Sequence, residues 1–399
     1  MVDKTAPLSG AGALRRVLTF WPLLFYGLSV IVGAGIYVAI GAVIGRAGAA
    51  APLSFLLAGI AAAATGLCYA ELANRFPEAS GAVSYVKHGF GSEALAQLTG
   101  AALTLAVAIA AASIARGATQ YLGVLLPLSP SLLIVLLVGG FTAIALSGVR
   151  VSVGIAAAMG FIEIAGLVAA TIAGLFAAPA FHMAGMVPTD LAGWHGAISG
   201  AFIAFFAFIG FETLANLAEE VRDPHRTVPR GILGAVAASV VLYVAVAAAA
   251  VLADRTAGNP LIGLFNGTGA SVFAAIGGIA VANGVLVEIV MLARLFYGMA
   301  RSGQLPAILG RVHPRTQTPA LATLLAGTIV LAAALLVPFQ RLLVLTNAIT
   351  LAVFALVDLA LWRVHRNATA AAQGVTVPRW IPALGVVLSL MLMLAEFLV

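Results

Sequence analysis

Two short stretches of this chain combine residue types that could hold a small charged molecule inside an apolar environment. The first is Gly33-Ala34-Gly35, within Ser29-Val30-Ile31-Val32-Gly33-Ala34-Gly35-Ile36-Tyr37. Two glycines in the middle of an apolar helix favour an interruption, because glycine takes unusual backbone angles at little steric cost. An interruption frees N–H and C=O groups that lipid cannot satisfy, so it survives only inside protein or at a polar cavity. The second half-helix would then present its N-terminal N–H groups to a carboxylate. The same tripeptide also suits close packing of helices through small residues, and alone it does not choose between the two. The second stretch is Phe205-Phe206-Ala207-Phe208-Ile209-Gly210-Phe211-Glu212, which joins a mid-span glycine, a run of aromatics and a carboxyl group. An ionisable group at membrane depth is costly unless paired or neutral, which makes Glu212 a functional candidate. It equally suits a structural carboxyl bonded to amides freed by a helix break.

Three further carboxyl groups lie in apolar stretches. Glu163 could load and release a proton, as buried carboxyls can, or form a neutral structural hydrogen bond. Glu288 could face a pocket and favour a cationic side chain, or pair with Arg294. Asp358 reads as structural, with Arg363 nearby. The run Glu219-Glu220-Val221-Arg222-Asp223-Pro224-His225-Arg226-Thr227-Val228-Pro229-Arg230 mixes charge with two prolines and reads as a loop. Pro229 suits the first turn of the next helix, and each charge taken singly fits a solvated connector. The six histidines, His88, His182, His195, His225, His313 and His365, fall in loops or at span ends, without metal-ligand spacing or neighbouring cysteine. The sequence holds no H-E-x-x-H, Walker A or G-x-S-x-G pattern. The expectation is a protein that is not an enzyme and needs no metal or organic cofactor.

The elements that must position these groups are membrane helices. Hydrophobic residues make up 62% of the 399 and charged residues 9%, with a mean hydropathy of +1.12. A soluble domain carries about 25% charged residues. A span needs about 20 apolar residues, and eleven such segments are legible, at roughly 20–45, 52–74, 94–125, 131–148, 152–177, 195–217, 230–252, 269–299, 319–338, 341–362 and 380–398. The third and eighth are long enough to tilt strongly. The first exceeds the 7–15-residue core of a cleaved signal and follows Arg15 and Arg16, so it reads as a span rising from a cytoplasmic N-terminus. Counting spans from there leaves 16 of the 20 Lys and Arg residues on the cytoplasmic side. Arg46, Arg116, Arg255 and Arg341 lie on the other, an asymmetry that obeys the positive-inside rule. The net charge of +6 is therefore a matter of topology rather than of nucleic acid. Cys68 cannot form an intrachain disulfide, since no second cysteine exists, and reads as a small core residue. The C-terminus is expected outside.

Three stretches together resemble the amino acid-polyamine-organocation superfamily: Gly-Ala-Gly-Ile-Tyr at 33–37, Phe-Ile-Gly-Phe-Glu at 208–212, and the loop from Glu219 to Arg230. Ala70-Glu71-Leu72-Ala73-Asn74-Arg75-Phe76-Pro77 with Gly81 and Tyr85 is similar to that family's second cytoplasmic loop. Met299-Ala300-Arg301-Ser302-Gly303-Gln304-Leu305-Pro306 with His313-Pro314 is similar to the loop after its eighth span. The likeness covers roughly 18–365. It implies five spans followed by five inverted spans, with the first and sixth broken. It also implies a substrate carboxylate on the N–H groups around Gly33, Ala34 and Gly35, and a substrate amine on carbonyls of Ile31, Phe206, Ala207 and Ile209. Phe206 would be the gate over bound substrate. Glu163 would stand where some proton-coupled members carry a lysine, with Glu212 a second proton candidate. Many members have twelve spans where eleven are legible here.

The expected organisation is therefore a cytoplasmic segment 1–17, a ten-helix core 18–366, and a loop with an eleventh span at 367–399. The expected function is alternating-access transport of an amino acid or amine across the inner membrane, with proton symport ahead of exchange. A non-transporting sensor would bind without flux, and a channel would want a continuous polar lining. The phenylalanine gate and alanine-rich surroundings favour a small apolar amino acid, while Glu288 keeps a cationic one or a polyamine in view. Oligomeric state is left open by the sequence.

Overall fold

A computed structural model describes residues 18–76, 81–147, 149–178, 185–217, 221–254, 259–301, 303–367 and 375–397. The segment 1–17, Glu219, Glu220, His182 and Arg255 lie outside them. The described residues are helical apart from connections, and their only β pairing is a single bridge from Leu18 to Val221. Among the described residues, thirteen of fourteen helices account for the eleven expected segments. The first span is α1 (Phe20–Val32) and α2 (Ala34–Ala47), and the second is α3 (Ala51–Arg75). A short α4 (Ala82–Phe90) precedes the third to fifth spans, α5 (Glu93–Leu125), α6 (Pro130–Ser147) and α7 (Val149–Ala177). The sixth is α8 (Leu191–Ala204), a 3-10 turn (Phe205–Phe208) and α9 (Thr213–Asn216). Then follow α10 (Pro224–Leu252), α11 (Thr268–Arg301), α12 (Ala320–Leu336), α13 (Phe339–Asn367) and α14 (Trp380–Phe397). Among the described residues eight stretches are long and apolar enough to cross a membrane, the first of which, Phe20–Arg75, holds two spans end to end. The shorter apolar helices Ala320–Leu336 and Trp380–Glu396 complete the set.

The packing repeats with an offset of five spans. The second span packs on the seventh, the third on the eighth and the fourth on the ninth. The first lies on the seventh as the sixth lies on the second, and the fifth on the seventh as the tenth on the second. Corresponding spans of the two halves therefore have corresponding neighbours. Side contacts test the span count independently, because residues assigned to one side are found together. Arg46, at the end of α2, pairs with Glu396 near the end of α14 at 3.2 Å and donates to Ser199 at 2.7 Å. The Arg116 guanidinium caps the last carbonyls of α12, those of Ala334 and Leu335, where a cation also meets the negative end of the helix dipole. At the opposite ends of the bundle, the Leu18 carbonyl accepts from the Arg222 N–H at 3.0 Å.

Three details depart from the sequence reading. The seventh span begins at Pro224, not near 230, so Pro229 lies inside α10. Proline at 224 suits a first helical turn, and the one hydrogen bond forfeited at Pro229 is outweighed by a longer helix. The loop at 74–93 contains α4, which packs on α5 and α13. The third concerns Asp358, fully buried in α13: it accepts from the Thr65 hydroxyl at 2.9 Å and abuts Gly385 of α14. Arg363 turns away to stack 4.9 Å over Phe90. Cys68 is buried, as expected.

The end of α3 is a polar knot. Glu71, wholly buried, accepts from Arg75 and from the Val377 N–H, 2.7 Å away, and is 2.8 Å from His365 Nε2. Asn74 meets the Val375 carbonyl and His225 Nδ1. Three spans and the approach to α14 are thereby joined at one place.

Candidate functional site

The first span breaks at one residue. Gly33 has φ −38° and ψ −140°, the latter far from the helical −42°, and its N–H still closes onto the Ser29 carbonyl at 3.2 Å. The chain then restarts as α2 with no side-chain cap. The first N–H groups of α2, from Ala34, Gly35 and Ile36, thus lack intrahelical acceptors and carry the positive end of its dipole.

The sixth span breaks over a longer stretch. The 3-10 turn ends at Ile209, which is extended (φ −62°, ψ 135°), and Gly210 follows at φ +125°. That conformation is essentially confined to glycine, and any side chain there would also meet Val30 Cγ1 at 2.8 Å. The Gly210 N–H donates to Glu212 Oε2 at 2.8 Å, while the Thr213 hydroxyl donates to the Gly210 carbonyl at 2.6 Å. Glu212 therefore binds the backbone of its own break.

The two breaks touch. A Cβ on Gly35 would lie 2.7 Å from Ala207 Cα, so backbone packs on backbone. Tyr243 of α10 stands behind the seam. Its hydroxyl is 2.6 Å from the Ile31 carbonyl and 2.9 Å from the Ala207 carbonyl, and donates to this pair. Asn347 of α13 donates to the Phe202 carbonyl at 2.7 Å. Carbonyls freed by both breaks are thus met from the neighbouring spans, as burial requires. Replacing Tyr243 with phenylalanine is expected to remove about 1–3 kcal/mol of stability, the cost of orphaning a buried acceptor. Thermal unfolding in detergent would measure it, and an unchanged melting temperature would mean that another donor serves both carbonyls.

Glu163 lies beside the first break. It is fully buried, its Oε2 is 3.6 Å from where a Gly33 Cβ would stand, and its Oε1 accepts from Asn283 Nδ2 of α11 at 2.6 Å. Among the described residues its Oε2 and the Asn283 Oδ1 have no partner. Tyr37 of α2 donates to the Glu163 backbone carbonyl at 2.7 Å, which fixes α7 against the half-helix. Glu288 follows Gly284 by one turn of α11, on the same face. A Cβ on Gly284 would lie 2.6 Å from Ala34 Cβ, so that face is turned towards the break. Glu288 Oε2 is buried without a partner, and among the described residues no ion pair joins it to Arg294, which is exposed.

The aromatic run divides by role. Phe205 and Phe211 pack edge-on or tilted against Phe354, Phe208 edge-on against Tyr243, and Phe211 also edge-on against Tyr69. Phe206 is buried but makes no ring contact among the described residues, so this ring alone is not fixed by aromatic packing. The structure thus brings Ile31, Gly33, Ala34, Gly35, Ala207, Glu163 and Glu288 to one neighbourhood, with Phe206, Ile209 and Glu212 on the adjoining segment. The sequence reading missed Tyr243, Asn283 and Asn347. The two asparagines carried a signal, since an amide in an apolar span needs a partner. A tyrosine carries less, because its ring alone justifies burial.

The arrangement can hold opposite charges a few ångströms apart: an anion on the α2 amides and a cation near the freed backbone carbonyls. A sequence profile described as "Amino acid permease" matches residues 18–399. The chain is 30% identical to "Cationic amino acid transporter 9, chloroplastic" of Arabidopsis thaliana, over 78% of its own length and 60% of that protein's. It is 31% identical to the methylthioribose transporter of Bacillus subtilis (strain 168), over 88% and 82%. To the branched-chain amino acid permease BcaP of the same organism it is 30% identical, over 90% and 83%. It thus spans less than two thirds of the plant relative and over four fifths of the two bacterial ones.

Proposed function

The chain belongs to the amino acid permease family, and on that premise we propose that it transports amino acids across the cell's inner (plasma) membrane by alternating access, driven by proton symport. The observation that carries the reading is the abutting pair of breaks, with the uncapped N–H groups of α2 next to the buried carboxyl of Glu163. The substrate carboxylate takes those N–H groups, and its amine takes backbone carbonyls among Ile31, Phe206, Ala207 and Ile209. Phe206 closes over it. Residues 18–366 form the transport core, and the N-terminus is cytoplasmic by the distribution of arginines.

Coulomb's law supplies the coupling. A substrate carboxylate on α2 would lie roughly 5 Å from an ionised Glu163. At an effective dielectric constant of about 20 that repulsion is about 3 kcal/mol, or roughly a hundredfold in affinity. Protonated Glu163 removes it, so proton and substrate load together and, by reciprocity, leave together. Exchange of one substrate for another is the second reading.

Relatives are named for cationic and for branched-chain substrates, and the unpartnered oxygen of Glu288 favours the cationic class here. Lysine or arginine would direct its side-chain charge to Glu288. Glu288→Gln is expected to weaken binding of lysine and arginine roughly 10- to 100-fold, the worth of one charge-assisted hydrogen bond, with alanine unaffected. Equal losses for all three would remove Glu288 from specificity. The reading as a whole is tested by a thermal-shift screen against the amino acids and common polyamines, where a ligand at about 100 times its Kd adds about 2.7 kcal/mol. Uptake of each hit into proteoliposomes follows, with and without an inward proton gradient. Binding without flux would identify a sensor instead.

A further inference from the structure

Beyond the transport site, the outer surface of the bundle carries a groove between α3 and α10. It is lined by Gly59, Ala63 and Leu67 of α3 and Leu233, Ala237 and Val240 of α10. Ile60 and Ala237 on its walls are exposed on the outside of the bundle, so the groove opens towards lipid. The small residues make it a groove, since a Cβ on Gly59 would already lie 2.5 Å from Val240 Cγ2. It runs over residues 59–67, about 12 Å of helix axis, and holds about 390 Å³. A helix about 10 Å across would fill roughly 900 Å³ over that length. The space suits an extended hydrocarbon chain rather than another helix.

The α10 face that lines the groove does not end there. Continued downwards in the same three-and-four spacing, Val240, Ala237 and Leu233 lead to Arg230 and Arg226. At about 100° per residue all five fall within roughly 80° of the helix circumference. Both arginines are exposed, and no acceptor meets either guanidinium among the described residues. Arg230 and Arg226 stand about 4 and 10 Å of axis below Leu233, within reach of where a lipid headgroup would lie if its chain occupied the groove. An apolar slot that ends at two exposed arginines is complementary to a molecule with a hydrocarbon tail and a negative head.

We infer that this groove is a binding site for an anionic phospholipid, with one acyl chain between α3 and α10 and its phosphate on Arg226 and Arg230. Arginine suits the role because its planar fork matches two phosphate oxygens at once. The consequence for transport is direct, because α3 and α10 are the helices packed most closely behind the two broken spans.

The test uses the full chain in neutral detergent and native mass spectrometry with two lipids of identical chains, phosphatidylglycerol and phosphatidylcholine. Phosphatidylglycerol is expected to bind at least 10-fold tighter. The double variant Arg226→Gln, Arg230→Gln is expected to lose about 30-fold in affinity for it, from about fivefold for each basic residue near the surface. Arg311→Gln, an exposed arginine elsewhere, is the control and should lose nothing. Ala237→Phe fills the groove and should weaken binding of the whole lipid. Should it fold poorly, Ala63→Leu fills the groove from the other wall. Glycerol 1-phosphate, the head without the chain, should not compete. Equal binding of the two lipids, an equal loss in Arg311→Gln, indifference to a filled groove, or competition by the head alone would each overturn the site.

Discussion

Replacing Gly35 with leucine is expected to abolish substrate binding and uptake while leaving the protein inserted and folded around its remaining spans. The first atom of any side chain at this position would lie 2.7 Å from Ala207 Cα and 3.3 Å from the Ala207 carbonyl oxygen. Neither is the movable end of a flexible side chain. Leucine therefore forces the two breaks apart, and they are the parts whose spacing sets the site. Displacement of a reacting or binding group by about 1 Å already costs about a hundredfold in well-organised sites, and the required movement here is of that order. Uptake in proteoliposomes should fall at least a hundredfold, and the thermal shift with substrate should vanish. The yield of membrane-extracted, monodisperse protein should stay within about twofold, because the clash lies at a seam already lined by polar groups. Gly35→Ala should show a smaller loss in the same direction. Normal uptake by Gly35→Leu would remove the seam from the substrate site.

The second large effect concerns Glu163. With glutamine in its place the side chain stays neutral at every pH and still accepts from Asn283. In the unaltered protein, substrate affinity should fall as pH rises and the carboxyl ionises, by up to about a hundredfold for the repulsion given above. In Glu163→Gln that fall should be absent, so affinity at alkaline pH should exceed that of the parent. Uptake should lose its response to an inward proton gradient, while exchange between internal and external substrate should persist, since exchange needs no proton to be released. Affinity and uptake profiles that coincide with those of the parent would take Glu163 out of the coupling. Loss of binding at every pH would point instead to a structural role for the ionised group.

Much of this architecture was legible because a bilayer leaves few choices. Eleven apolar segments and the placement of arginines define a topology, and each segment corresponds to a helix or a broken pair. The breaks themselves were half legible. Gly33 and Gly35 fitted a break or close packing equally well, and the structure makes them both: Gly33 turns the chain, and Gly35 admits the Ala207 backbone. Glu212 was read as a functional carboxyl or as the structural partner of freed amides, and it bonds the Gly210 N–H. Tyr243, Asn283 and Asn347 could not be placed, because their partners lie 36, 120 and 145 residues away. No local pattern carries such a pairing. Pro229 misled for the opposite reason. It is a good first-turn residue, but Asp223-Pro224 offered a better start five residues earlier.

The fastening of α14 has a consequence for how the protein is made. Spans emerge from synthesis in order, and this one follows all the other described helices. Before it arrives, the Glu71 carboxyl lacks the Val377 N–H, the Arg46 guanidinium lacks Glu396, and the Asp358 side chain faces lipid where Gly385 will lie. These groups then keep only part of their partners, Arg75 and His365 for Glu71, Ser199 for Arg46 and Thr65 for Asp358, and such under-satisfied polar surface is the kind that insertion chaperones hold and quality-control proteases read. The last span closes it at three depths at once. Docking of α14 thus completes contacts that α2, α3 and α13 cannot make among themselves, and it separates a chain that is merely inserted from one whose described helices are fully packed.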